Sequence, residues 1–145
     1  MDKNYRKIII MLICSVVIVS VTLLFNHFTS SRHGKVIRIT ILDDKQKVIF
    51  DEDVETSKSE LSELLKELDG NKTIKLKYGG DESGMKIVGL GEDKLINENE
   101  AQKLYWQYSS SNNVQCLENK GCGPIEKVLI EDGDEFTFQL QYQEK

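Results

Sequence analysis

Two cysteines, Cys116 and Cys122, sit five residues apart in the polar stretch "CLENKGC". A pair like this can be a redox couple, half of a metal site, or a staple. A redox pair is usually tighter, as in CxxC, and opens a helix. Zinc needs two more ligands, yet the third cysteine, Cys14, lies far away in an apolar run, and both histidines, His27 and His33, precede the folded part. The lack of histidine beyond residue 33 also removes Ser-His and Cys-His nucleophile pairs from that part. "GGDESG" has neither the lysine nor the helix of a phosphate-binding loop. Carboxylates cluster at "DED" (51–53) and "EDGDE" (131–135). Calcium uses such oxygens, but no twelve-residue ligand loop is present, and Asp-Gly between β runs reads as a turn. No catalytic set, cofactor or metal site is expected.

The compartment decides what the thiols do. The N-terminus is basic (Lys3, Arg6, Lys7) and is followed by an uncharged run from Ile8 to Phe25. As a helix those residues span about 27 Å, which is enough to cross a hydrocarbon core. Secretory signals have shorter apolar regions and a small-x-small cleavage site, and "NHFTSSRHG" has no Ala-x-Ala. An uncleaved anchor is therefore the preferred reading, with secretion after cleavage as the alternative. Cys14 follows Ile13 and the apolar run continues through it, so it reads as a small hydrophobe rather than a lipidation site. The basic front keeps the N-terminus in the cytoplasm and places the rest outside, where thiols pair. Cys116 and Cys122 are expected to form a local disulfide.

The expected organisation is a cytoplasmic tail (1–7), a membrane anchor (8–25), a linker (26–34) and an extracytoplasmic domain (35–145). Four of the 19 Lys and Arg and one of the 24 Asp and Glu lie in residues 1–32, which leaves 15 against 23 and a formal charge of −8 outside. No basic patch with interleaved aromatics appears, so nucleic acid is not an expected partner.

The outer chain alternates and then turns helical. Ile37, Ile39 and Ile41 mark a half-buried strand, and "KVIF" restarts the pattern after a turn. Leu61, Leu64, Leu65 and Leu68 form one helical stripe, with Ser57 and Glu60 as a capping box and Gly70 as the stop. "TIKLKY" returns to period two, "GGDESG" is a loop, and "MKIVGLGEDKL" and "KLYWQY" are strands. "KVLI" reads as a strand entering a turn at Asp132-Gly133-Asp134, before a last strand whose Phe136, Phe138, Leu140 and Tyr142 share one face. The fold class is α+β: an N-terminal membrane helix, then a small domain of order β-β-α-β-β-β-β, with one helix packed on a mixed sheet.

Four stretches carry a resemblance: the Leu-rich helix, Ile87 to Gly91, Tyr105 to Tyr108, and Ile130 with Asp132, Gly133 and Asp134. In that order and spacing, roughly residues 35–143 resemble the transcobalamin-like C-terminal domain of bacterial surface proteins. The resemblance implies a β-grasp fold with a ligand-facing edge near the stapled loop, and cobalamin as a ligand by analogy only. "SSSNN" and the Cys116–Cys122 loop stand where that family has an Asn-Gly turn. The candidate contact residues are Tyr105, Trp106, Tyr108, Asn112, Asn113 and Gln115. Amides supply both donors and acceptors, and aromatics supply flat area with a polar tip. The expected role is a non-catalytic, membrane-anchored binding module for a small molecule or an envelope protein. The alternative is an accessory subunit packed against a membrane transporter.

Overall fold

A computed structural model describes residues 3–30, 34–81 and 84–144, as two units that divide between His33 and Gly34. The first unit is one helix, α1 (Lys3–Ser30). It runs past Phe25 and takes in most of the segment expected as a linker; residues 31–33 of that segment lie outside the described residues. Within it, Asn4–Leu23 is long and apolar enough to cross a membrane, with a mean hydropathy of 2.3. The hydroxyls of Ser15, Ser20 and Thr22 donate back to the carbonyls of Leu12, Val16 and Ile18 at 2.9, 2.8 and 2.6 Å. These three hydroxyls are thus satisfied by the helix's own backbone.

In the second unit, Ile37, Ile39 and Ile41 alternate with polar residues and are fully buried along β1 (Lys35–Leu42). β1 turns through Asp43, whose carboxylate accepts from the Lys45 and Lys47 amides, into the antiparallel β2 (Val48–Thr56). On its other side β1 pairs in parallel with β7 (Glu135–Tyr142), so that Ile39 lies beside Phe136 and Ile41 beside Phe138. β7 pairs antiparallel with β6 (Leu104–Ser110). The sheet order is β2-β1-β7-β6, and a second antiparallel sheet is formed by β3 (Lys75–Asp81), β4 (Gly84–Gly91) and β5 (Ile96–Asn97) in the order β3-β4-β5. One helix, α2 (Leu61–Gly70), buries Leu61, Leu64, Leu65 and Leu68 in the core shared with these sheets. This is the expected α+β, β-grasp-like arrangement, with first and last strands parallel at the centre.

Four local readings need correction. The capping box is not made: α2 starts at Leu61 after Glu60, with no side-chain cap bond. The Leu61 amide instead donates to the Val128 carbonyl at 3.0 Å. Gly70 is the last residue of the helix and not the left-handed stop expected there. Asn71 is the C-cap, and Lys72 takes the left-handed conformation (φ 61°) while its amide bonds the Asp69 carbonyl. The stretch expected as a loop, 79–84, is mostly strand, because β3 reaches Asp81 and β4 begins at Gly84.

"KVLI" enters neither sheet. A 3-10 turn occupies Ile125–Lys127, and Leu129 then bridges to Glu60 beside the start of α2. Val128 and Ile130 are buried and Leu129 is exposed, so the alternation is real. Its partner is the chain before the helix rather than a strand.

Truncating a buried leucine typically costs about 2–5 kcal/mol through lost burial and the cavity left behind. Leu64→Ala is expected to lower the unfolding free energy of the domain by that amount in urea titrations monitored by Trp106 fluorescence. An unchanged midpoint would show that α2 does not seal the core.

Candidate functional site

The site grows from β6. Its alternation sends Trp106 inward, where its ring is 4 % exposed. The indole Nε1 donates to the Ile96 carbonyl and the Trp106 amide donates to Glu98 Oε1, both at 2.9 Å. Tyr105 is also buried, with the Lys86 ammonium 5.0 Å from its ring centroid. The Tyr108 ring stacks on Phe138 at 5.6 Å, and its hydroxyl donates to the Gly123 carbonyl. Burial, and the nearby Glu126 carboxylate, push the Tyr108 phenol well above its ordinary range.

Beyond β6 the chain turns polar, and each amide finds a backbone partner. Asn113 is almost fully buried. Its Nδ2 donates to the Leu129 carbonyl at 2.9 Å and to Asp134 Oδ2 at 2.6 Å, while its Oδ1 caps the short helix α3 (Val114–Glu118) by accepting from the Cys116 amide at 3.1 Å. Asn112 donates to the Gly133 carbonyl at 2.9 Å and accepts from the Glu135 amide at 2.8 Å. Gln115 donates to the Lys127 carbonyl at 2.8 Å and accepts from the Leu129 amide at 3.1 Å. All three amides clamp the segment before β7. The carboxylates of "EDGDE" are tied in the same way: Asp132 accepts from the Val36 amide at 2.7 Å, and Asp134 from the Glu131 amide at 2.9 Å. In "DED", Asp51 accepts from Arg38 at 2.9 and 3.0 Å and from Thr40 at 3.0 Å, and Arg38 holds the Asp51 carboxyl below its usual range.

Cys116 and Cys122 are bonded to each other. The loop leaves α3 through Lys120 at φ 54°, and the Gly121 amide returns to the Cys116 carbonyl at 2.9 Å, which closes the helix end. Gly123 sits at φ 71°, where a side chain would be strained.

Two clefts flank this ring. One, of about 320 Å³, is lined by Met85, Lys86, Ile87, Trp106, Gln107, Tyr108, Phe138 and residues 121–123. The other, of about 280 Å³, is lined by residues 108–110, Cys116, Leu117, Lys120, Gly121 and Cys122. Tyr108, Gly121 and Cys122 line both, so the stapled ring and one tyrosine form a shared wall. Of the expected contact residues, the larger cleft gathers Trp106 and Tyr108 and the smaller takes Tyr108. Tyr105, Asn112, Asn113 and Gln115 line neither. Sequence reading missed the wall contributed by β4: Met85 and Lys86 carry no motif, Ile87 counts only as the start of a stretch that carries the resemblance, and only the tertiary fold brings them to the same cleft as β6. It also missed Glu126, whose Oε1 accepts from the Met85 amide at 2.9 Å. That bond holds the Glu126 carboxyl below its ordinary range.

No protein-family model and no curated protein matches the chain. Solved structures do. One, from Ruminococcus gnavus, is described as a "putative metal binding protein"; it superposes with a TM-score of 0.57 at 17% identity, covering 76% of this chain and 99% of that one. At that identity the likeness establishes the fold alone. Among the described residues, no three His, Cys, Asp or Glu side chains come together to hold a metal ion.

Leaving a buried polar group unpaired costs about 1–3 kcal/mol. Asn113 has three such bonds in the interior, so Asn113→Ala is expected to lose about 3 kcal/mol, against about 1 kcal/mol for the exposed Asn112→Ala. Urea unfolding of the two variants checks the order, and equal losses would show that burial of Asn113 is not what matters. For the staple, closing so short a loop stabilises by roughly 2 kcal/mol in the chain-entropy picture. The double variant Cys116→Ser, Cys122→Ser should lose that much. Mass mapping after alkylation without reduction should find neither cysteine labelled in the parent chain.

Proposed function

We propose that this chain is a membrane-anchored, extracytoplasmic binding module without catalysis, which takes its ligand in the larger cleft beside Tyr108 and the stapled ring. One observation carries the reading: the cleft's walls are fixed before any ligand arrives. Tyr108 is held by Phe138 beneath it and Gly123 beside it. The ring is closed by a disulfide, and Trp106 is pinned by two hydrogen bonds. A site already in its bound shape avoids the cost of ordering side chains on association. Its mixed lining, aromatic and aliphatic side chains beside Lys86, Gln107 and loop backbone, encloses about 320 Å³, within the size of a ligand pocket.

The rest of the chain fits that role. The basic N-terminus followed by an apolar span favours an anchor with the domain outside, and the disulfide suits an oxidising compartment. The bacterial cell surface is the setting this reading favours. The resemblance to transcobalamin-type domains supports ligand capture, and so does the metal binding named for the Ruminococcus gnavus protein; neither specifies what this cleft takes. Low histidine content and the internal partners of the loop amides and carboxylates favour binding over catalysis.

Trp106 is the single tryptophan of the chain and lines the cleft, so its emission reports occupancy. With the full chain in lipid nanodiscs, a library of aromatic and heterocyclic fragments is expected to yield members that shift Trp106 emission, and Tyr108→Ala should weaken them at least tenfold. Protease added outside intact cells should remove the domain and leave the α1 fragment in the membrane. Fragments that bind equally well after Tyr108→Ala would move the site elsewhere, and a domain resistant outside but cleaved in inverted vesicles would reverse the orientation.

A further inference from the structure

The larger cleft is bounded by two strand edges. β4 and β6 belong to different sheets and are not paired with each other. On β4, the Met85 amide points away from β3 and donates to Glu126 Oε1 at 2.9 Å. On β6, the Trp106 amide points away from β7 and donates to Glu98 Oε1 at 2.9 Å. Main-chain groups along an antiparallel strand repeat their direction every second residue. Ile87 therefore turns its main chain to the same side as Met85, and Tyr108 to the same side as Trp106. Neither has a strand neighbour there: β5 pairs with β4 only at Gly89 and Leu90, and Tyr108 pairs only with Phe138. Each edge thus carries one amide capped by a glutamate; on β6 the Trp106 carbonyl is also taken, by Gln107 Nε2 at 3.0 Å, which leaves the main-chain groups of Ile87 and Tyr108 as the ones without a strand partner on that side.

We propose that this cleft is a strand-addition slot, which takes an extended polypeptide segment of another protein by main-chain hydrogen bonds to the edges at Ile87 and Tyr108. The inference rests on the reading of the cleft as the binding site and names the class of ligand. The two glutamates stand where carbonyls of an added strand would stand, which shows what each edge is shaped to receive. Below the edges, Ile87 and Phe138 offer an apolar floor for one side chain. Main-chain bonding with one or two side-chain pockets is how strand addition combines affinity with selectivity. A small planar ligand would use the floor and leave the edges unsatisfied.

Random heptapeptides displayed on phage are selected on the full chain in nanodiscs, against empty nanodiscs as the control. Enriched peptides are then synthesised with a single N-methyl group at each position in turn. N-methylation at every second residue is expected to weaken binding at least tenfold, with the intervening positions changed less than twofold. A photo-crosslinker in the peptide should label residues 85–88 and 106–108. Peptides whose affinity ignores N-methylation throughout, or whose crosslinks fall outside both strands, overturn the slot. So does a selection that enriches nothing. If fragments still shift Trp106 emission in that last case, the cleft remains a ligand site of another class; if they do not, the binding-site reading falls with it.

Discussion

Asn113 is the side chain on which the cleft-bearing end of the domain depends. Its side-chain amide accepts from the Cys116 amide at the start of α3 and donates to the Leu129 carbonyl on the segment beside α2 and to the Asp134 carboxylate at the turn into β7. None of these pieces belongs to a strand of either sheet, and only Leu129 has a β-bridge, to Glu60. A buried amide with every bond made is stable, and one with a bond missing is costly, so the loop has one arrangement rather than several. Ser110, Asn112 and Gln115 repeat the device at the surface. The Ser110 hydroxyl donates to the Glu135 carbonyl at 2.6 Å and accepts from the Asn113 amide at 2.9 Å. The disulfide then closes a loop whose base is already held. These amides would make poor ligand contacts because each is occupied by the backbone it positions.

What could be read in the sequence followed the range of the interaction. Ile37, Ile39 and Ile41, the leucines of α2, and Phe136, Phe138 and Leu140 all declare themselves by period, because a strand or helix face is a local property. The pairing of Cys116 with Cys122 was legible because their separation is short and the basic, then apolar N-terminal run points to an oxidising compartment. "KVLI" has a true alternation, but period two says only that one face is buried. It does not say whether the partner is a strand or, as here, the chain before a helix. Gly70 fails as a stop for a similar reason: the helix end is set by bonds from Asn71, Lys72 and Thr73 back to Glu67, Asp69 and Leu68, and Lys72 accepts the left-handed turn. The cleft was half legible. Trp106 and Tyr108 stand out by type, whereas Met85 and Ile87 are ordinary strand residues made important by what lies across from them. "SSSNN" looked like a solvated loop because nothing in a run of small polar residues reveals that Asn113 is buried.

The two sheets also show how the domain treats exposed edges. An open edge invites pairing with other chains, and proteins guard against it with charge. β2, at one end of the larger sheet, carries Asp51, Glu52, Asp53 and Glu55, of which Arg38 ties Asp51 and approaches Asp53 at 3.7 Å. At the other end the guards are single glutamates aimed at single amides. Glu98 belongs to both sides of the gap: its amide donates to the Val88 carbonyl on β4, and its carboxylate accepts from Trp106 on β6 and from Lys86. It fixes the spacing of the strands while stopping short of the residues beyond. One edge carries charge along its length, and the other is capped only at single amides.

That difference bears on how tightly the site can hold anything. Tyr108 sits in the wall of both clefts, and its ring rests on Phe138, which is buried in the central strand β7. Phe138 in turn lies beside Ile41 of β1. The cleft wall is therefore continuous with the best-packed layer of the domain, and packed interiors resist continuous deformation. On the far side the hydroxyl bond to Gly123 joins the same ring to the stapled loop. A wall anchored to the core at one face and to a cross-linked loop at the other cannot relax around an ill-fitting ligand. Selectivity at such a site comes from shape and from the direction of its hydrogen-bonding groups, both of which the fold sets before binding.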